Sequence, residues 1–101
     1  MTREGDLVRA IIDALTLRGA TVWRCNSGKV RVRGAYLTLA PEGTPDVVGY
    51  TKHGRFVGIE VKLPKGRVTK EQLDWHATAR AHGAIAGVAY CVEDALEMVG
   101  G

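Results

Sequence analysis

Two apolar stretches joined by a short loop at residues 52–54 constrain the fold more than any other feature of the sequence. The stretches, residues 46–51 and 55–63, are typical of strands, and the loop between them ends in glycine. A three-residue hairpin loop commonly ends in a left-handed residue, which glycine adopts most easily. The register set by such a loop places Asp46 directly opposite Glu60, on one face of the sheet.

Two carboxylates opposite each other repel unless a positive charge lies between them. A hard divalent cation would supply that charge, because Mg²⁺ prefers oxygen ligands and often needs only one or two carboxylates. Lys62 lies two residues after Glu60 and points the same way, where it could hold a phosphate oxygen or an attacking water. These are the parts that phosphodiester hydrolysis needs. The alternative is a solvent-facing hairpin in which Lys62 neutralises Glu60 and Asp46 caps a loop.

The rest of the 101-residue chain reads as one domain, residues 1–101. Periodicity and turn residues predict helices at 2–18, 69–82 (with Thr69 as N-cap) and 93–99, and strands at 20–25 and 85–91. A further extended region at 30–39 is interrupted at Gly34, and turns or loops lie at 26–28, 41–45 and 64–67. This order, with sequential middle strands, predicts an α/β fold in which helices flank a mixed sheet.

Composition excludes several classes of protein. With 46% hydrophobic and 25% charged residues, the chain is not a disordered tail, a collagen or a coiled coil. Its longest uncharged stretch is too short to span a bilayer, and acids occupy the N-terminal region where a signal peptide needs an apolar core. We therefore expect a cytoplasmic protein without a membrane partner. Cys25 and Cys91 match no zinc-site spacing, and we expect both to be buried thiols in a reducing compartment.

Charge is concentrated in the middle of the chain, where residues 18–70 carry eleven bases and three acids. This distribution indicates a polyanionic partner such as nucleic acid, although a solvated basic surface is the alternative. In an extended strand Arg31 and Arg33 share a face, which suits a groove that follows a phosphate backbone. Asn26 and Ser27 could donate hydrogen bonds to phosphate, or could simply form a turn. The candidate nucleic-acid contacts are Arg24, Asn26, Ser27, Lys29, Arg31, Arg33, Lys65 and Arg67.

Several segments in this order resemble the virus-type replication-repair nuclease (VRR-NUC) domain of the PD-(D/E)xK nuclease superfamily. ExK alone is a weak signal, whereas GxPD, ExK and a following helix with an early glutamine form a specific combination. The segments that carry the resemblance are Gly43-Thr44-Pro45-Asp46, Ile59-Glu60-Val61-Lys62, Thr69-Lys70-Glu71-Gln72, Trp23-Arg24-Cys25-Asn26-Ser27-Gly28 and Trp75.

The resemblance implies a PD-(D/E)xK core of order α-β-β-β-α-β, here with a short C-terminal helix. It implies that Asp46, Glu60 and the backbone carbonyl of Val61 bind Mg²⁺ or Mn²⁺, without an organic cofactor, and that Lys62 acts on the water or the scissile phosphate. Gln72 would also lie at the site, although Thr69-x-x-Gln72 is equally a capping box. Glu4 matches a glutamate of the family's first helix, but the helix dipole also favours an acid there.

The residues and the resemblance together predict a metal-dependent DNA endonuclease. The resemblance implies that it cuts branched DNA, such as a Holliday junction or a flap, in a bacterial cell or a phage-infected host. A homodimer would supply the two sites that a junction needs, and its surface would be the apolar stretch 84–90 or the last helix. The main alternative is a non-catalytic nucleic-acid-binding module of the same fold. A sequence-specific restriction-type nuclease and a structural protein with a basic face are further alternatives.

Overall fold

A mixed four-stranded sheet forms the centre of the molecule, as a computed structural model shows. The structure describes residues 3–25 and 28–100, and for 28–30 and 37–39 only the backbone. The elements in chain order are α1 (Glu4–Leu17), β1 (Thr21–Arg24), β2 (Gly28–Val32), β3 (Ala35–Ala40), β4 (Val47–Tyr50), β5 (Phe56–Val61), α2 (Lys70–Ala81), β6 (Ile85–Ala89) and α3 (Val92–Met98). The strand order is β1-β4-β5-β6, and only β6 is parallel to its neighbour. The predicted fold class is confirmed.

The hairpin of β4 and β5 has the register that the loop length predicts. Val47 pairs with Ile59, and Tyr50 pairs with Phe56. Continuing this register by one residue brings Asp46 opposite Glu60. The loop closes through hydrogen bonds around Thr51, and its last residue, Gly54, has the left-handed φ of 84° that the prediction requires.

The hydrophobic core lies between the sheet and the two outer helices α1 and α3. Side chains alternate along β5, so Val57, Ile59 and Val61 face these helices and are completely buried. The apolar positions of α1 that pack onto them are Leu7, Val8, Ile11 and Leu15. The opposite face of β5 carries Gly58 and Glu60, and α2 packs there.

The helix α2 begins with the predicted capping box. The Thr69 hydroxyl accepts a 3.2 Å hydrogen bond from the Gln72 amide, and Gln72 Oε1 accepts a 2.8 Å hydrogen bond from the Thr69 amide. Both reciprocal bonds satisfy amides that the first helical turn otherwise leaves open. This cap sets the start of α2 immediately after the loop that follows β5.

The extended region predicted at 30–39 is extended and is interrupted at Gly34 as predicted, but the interruption is a turn that folds it into the two-stranded sheet β2–β3. The turn consists of Arg33 and Gly34, whose φ values of 50° and 81° are both positive. Positive φ at both central residues is the mark of a type I′ hairpin turn. Arg33 therefore lies in the turn rather than beside Arg31 on a strand face. This turn was not predicted from the sequence because arginine rarely adopts a positive φ.

The apolar stretch predicted as a dimer surface is mostly used inside the chain. In β6, Ile85, Ala86 and Ala89 are buried, as expected for a strand packed on both faces. The strand ends earlier than predicted, because the Tyr90 amide donates a 2.9 Å hydrogen bond to the Asp94 carboxylate of α3. Within the described residues, no helix is both long and apolar enough to cross a bilayer.

Candidate active site

The loop before β4 holds Asp46 in place through the residues of the Gly43-Thr44-Pro45-Asp46 motif. Gly43 has a φ of 87°, and any side chain there would collide with the Glu71 carbonyl in the first turn of α2. The Thr44 hydroxyl donates a 2.6 Å hydrogen bond to the Pro41 carbonyl. Pro45 is fully buried. The motif thus joins the start of α2 to the start of β4.

Gly58 of β5 provides the space into which this loop packs. A methyl group added at Gly58 would lie 3.0 Å from Pro45 Cγ and 2.8 Å from the ring of Trp75 on α2. Contacts this short cannot be accommodated without a shift of the neighbours. The absence of a side chain at Gly58 therefore lets Pro45, the residue before Asp46, and Trp75 both pack closely against β5.

Asp46 and Glu60 form a carboxylate pair at the end of the central strands. Asp46 Oδ2 accepts a 2.9 Å hydrogen bond from the Val61 amide, which orients the carboxylate along β5. On the other side, the Asp46 carbonyl accepts a 2.7 Å hydrogen bond from the Cys25 amide at the end of β1. Asp46 is thus held by both neighbouring strands, although it precedes β4 itself.

Glu60 is buried, with 2% of its surface exposed, and its Oε2 has no hydrogen-bond partner. Burial and the neighbouring Asp46 carboxylate raise the pKa of Glu60 from 4.5 to about 9, while Lys62 opposes that change. A buried carboxylate is costly when it is ionised and unpaired. Glu60 therefore holds a proton at neutral pH unless a cation takes the place of that proton.

Lys62 extends the same face of the sheet beyond the end of β5. Its amide donates a 3.0 Å hydrogen bond to the Ala89 carbonyl of β6, which holds the backbone at this point. Gly66 folds back against the aliphatic stem, since a methyl group at Gly66 would lie 3.2 Å from Lys62 Cδ. The half-buried side chain is confined by this turn, and its positive charge acts to lower the pKa of Glu60.

The start of α1 lies near the carboxylate pair. Glu4 is the first residue of α1 and is exposed, and its charge is one of those that raise the pKa of Glu60. Arg24, at the end of β1, approaches the same turn, because a methyl group at Gly5 would lie 3.7 Å from Arg24 Nη1. The structure therefore brings Glu4 and Arg24 to the edge of the site.

The other predicted contacts lie on α2, on the loop after β5 and on the hairpin, or outside the described residues. Gln72 lies one turn into α2, with its side-chain oxygen engaged in the capping box. Asn26 and Ser27 lie outside the described residues, and for Lys29 only the backbone is described. Exposed side chains in the loop after β5 are Lys65 and Arg67, and those on the separate hairpin are Arg31 and Arg33.

Sequence reasoning missed two features of the face that carries Glu60. Three aromatic side chains of the strands remain 44–50% exposed there: Trp23, Tyr50 and Phe56. His76 of α2 is instead buried at 1% exposure, and neither ring nitrogen has a hydrogen-bond partner. The strict register of β1, β4 and β5 could have revealed the aromatic set, whereas no local signal marks the unpaired histidine. Cys25 and Cys91 are half-buried rather than fully buried.

The sequence profile of the VRR-NUC domain matches residues 37–93, which is more than half of the chain. The chain belongs to the VRR-NUC family. A solved structure described as a VRR_NUC domain is similar to it, with a TM-score of 0.68 and 22% identity over 98% of this chain and 96% of the other. At that identity the likeness concerns the fold alone. No match was found among curated proteins.

Membership of the VRR-NUC family makes this chain a member of a nuclease family. The matched residues include the carboxylate pair, Lys62 and Gln72. Glu4, Arg24 and strand β2 precede them, so any role for those parts depends on this chain's own geometry.

Proposed function

We propose that this VRR-NUC protein is a metal-dependent endonuclease that hydrolyses phosphodiester bonds in DNA. The observation that carries the proposal is the buried Glu60. It lies opposite Asp46, and its Oε2 has no hydrogen-bond partner. Such a pair costs folding free energy and has no structural benefit by itself. A cation between the two carboxylates would remove both the repulsion and the unpaired oxygen.

The donor set fits Mg²⁺ or Mn²⁺. Both carboxylates are oxygen donors, and Asp46 Oδ1 is free of the hydrogen bond that engages Oδ2. We propose that Asp46, Glu60 and the Val61 carbonyl hold the ion, with Glu4 as a further candidate. Within the described ranges no group of three or more Asp, Glu, His and Cys side chains converges, and Mg²⁺ often uses only one or two carboxylates. When bound, the ion would supply Lewis-acid activation of water and phosphate.

The chain's own residues would position the reacting groups. The Lys62 ammonium, confined by the turn at Gly66, would hold the attacking water or a phosphate oxygen. Gln72 keeps an amide NH₂ group that the capping box does not use, and this group would donate to the same water or phosphate. Arg24, Lys65 and Arg67 would bind flanking phosphates, together with Asn26, Ser27 and Lys29.

The finer proposal is selectivity for branched DNA by a homodimer. One site cuts one strand, and resolution of a junction requires two cuts at a fixed separation, which a two-fold dimer provides. The exposed aromatic face of Trp23, Tyr50 and Phe56 is available to a second copy, and aromatic residues are enriched at such interfaces. Light scattering should give two chains per particle for the wild type and one for Phe56→Glu. A single chain for the wild type, with and without DNA, would contradict the dimer.

The decisive experiment is cleavage of labelled four-way junction, flap, linear duplex and single-stranded DNA with Mg²⁺, Mn²⁺ or EDTA. We expect cutting of junction or flap that requires the metal and is lost in Lys62→Ala. Lys52→Ala is the matched control, because Lys52 packs beside Gly19, away from the carboxylate pair.

Binding without cutting under every metal would instead support the non-catalytic module. Equal loss of cutting in Lys52→Ala and Lys62→Ala would remove the specific role of Lys62. Cutting of all four DNAs at one rate would contradict structure selectivity while leaving the nuclease intact.

A further inference from the structure

The β2–β3 hairpin is inserted between two segments of the chain that meet at the carboxylate pair. The chain leaves the main sheet at Cys25, whose amide binds the Asp46 carbonyl, and it returns to Asp46 through the loop that follows β3. Between these points β2 and β3 pair with each other as a separate two-stranded sheet. DNA held at Asp46 would therefore lie next to the base of this hairpin.

The hairpin carries only positive formal charge. Residues 28–40 contain three bases and no acid. Arg31 on β2 and Arg33 in the turn are both exposed. Tyr36 pairs directly with Arg31 across the hairpin and is 67% exposed. Directly paired residues share a face, so a cation and an aromatic hydroxyl are presented together on one side of the ribbon.

The turn contains a residue that backbone stability alone does not favour. Asparagine and glycine are strongly preferred in type I′ turns because both central residues need positive φ. Here the first position is Arg33, a residue that is strained at a φ of 50°. An arginine at the tip of an exposed hairpin is explained if its guanidinium has a partner outside the chain.

We propose that the β2–β3 hairpin is an arm that enters the major groove of a duplex next to the scissile phosphate. This inference rests on the proposed function and specifies how the substrate is held. A two-stranded ribbon fits the major groove, which is about 12 Å wide. Strands rise about 3.3 Å per residue, so five residues let the arm reach about 16 Å, or past one groove width. Arg31, Arg33 and Tyr36 contact phosphates or guanine edges there.

The test compares DNA binding in EDTA, which needs no cleavage, for wild type, the double variant Arg31→Ala/Arg33→Ala and the control Arg9→Ala/Arg18→Ala. The control removes two exposed charges from α1 and its end. We expect the arm variant to bind duplex-bearing DNA at least tenfold more weakly, with a salt slope smaller by about 1–2. Equal weakening in both double variants would overturn the proposal.

Two further measurements make the test specific. Asparagine suits the turn better than arginine, so we expect Arg33→Asn to have an equal or higher Tm and to bind DNA more weakly. Unchanged binding would overturn the role of Arg33.

Guanine N7 faces the major groove, so methylation of N7 should weaken DNA binding by wild type but not by the arm variant. Equal binding of methylated and unmethylated duplex would overturn the groove assignment.

The two proposals can fail separately. If wild type cuts junctions and the arm variant binds and cuts DNA as well as wild type does, the arm proposal is wrong and the nuclease proposal is retained. If wild type binds DNA but never cuts it, the nuclease is wrong, and the binding comparison still decides the arm. Wild type that neither binds nor cuts DNA would overturn both.

Discussion

Asp46 Oδ2 accepts a hydrogen bond from the Val61 amide at 2.9 Å, while Glu60, the residue before Val61, is left with an unpaired buried oxygen. The two opposed carboxylates are therefore unequal. Asp46 is oriented by the backbone of β5, whereas Glu60 lies in an environment that favours its protonated form. This inequality leads to the first two predictions.

Glu60→Gln should stabilise the metal-free protein. Burial raises the pKa of Glu60 from 4.5 to about 9. Between these values the folded state retains a proton that the unfolded state releases, so the free energy of unfolding falls as pH rises. In EDTA at pH 8, we expect the free energy of unfolding of Glu60→Gln to exceed that of wild type by at least about 1 kcal/mol, or about 4–8 °C in Tm. Near pH 4 the two proteins should be equally stable. Exposed Glu97→Gln should change neither value.

Mg²⁺ should stabilise wild type and leave Glu60→Gln unchanged. A ligand that binds only the folded state, at a concentration of ten times its Kd, adds about 1.4 kcal/mol to the free energy of unfolding. Because the ion competes with the Glu60 proton, the gain in Tm should increase from pH 6 to pH 8, and calorimetry in two buffers should detect proton release. An equal response to Mg²⁺ in both proteins would place the ion elsewhere.

Gln72→Glu should separate the capping role of this residue from a role at the site. The capping box accepts glutamate or glutamine, so the Tm should stay within about 2 °C of wild type. We expect cleavage to fall at least tenfold, because the substitution replaces a donor with a third carboxylate. Thr69→Ala gives the converse result, a loss of about 1 kcal/mol in stability with cleavage retained. Wild-type cleavage by Gln72→Glu would limit Gln72 to the cap.

His76→Leu should stabilise the fold, since both ring nitrogens are buried without partners. Burial, aided by the charge of Arg80, lowers the pKa of His76 from 6.5. Below pH 6.5 the unfolded state gains a proton that the folded state resists, so wild type loses stability as pH falls. At pH 7 we expect His76→Leu to raise the free energy of unfolding by about 1 kcal/mol. The stability of this variant should also fall less than that of wild type as the pH is lowered. His53→Leu, in the exposed loop, should show neither effect in urea unfolding.

The sequence predicted those parts of the fold that depend on local rules. Gly54 and the length of its loop determined the register of β4 and β5, and Thr69-x-x-Gln72 determined the start of α2. Both signals are short and lie within a few residues of what they control. The opposition of Asp46 and Glu60 follows from the first of them by counting.

Other features depend on contacts that the sequence does not display. The turn at Arg33 breaks the usual residue preference, so the hairpin looked like one interrupted strand. The burial of Ile85, Ala86 and Ala89 in β6 results from packing on both faces of the sheet, which leaves little of the stretch 84–90 for a dimer surface. The burial of Glu60 likewise depends on α2 and the loop at Pro45, and without those contacts its high pKa could not be inferred.

The attachment of the β2–β3 hairpin has a structural consequence. The segments on its two sides meet where the Cys25 amide binds the Asp46 carbonyl. The hairpin can therefore be lengthened, shortened or exchanged without altering the strands that carry the carboxylates. If both proposals hold, the residues that cut DNA and the residues that choose it lie on separate parts of the chain.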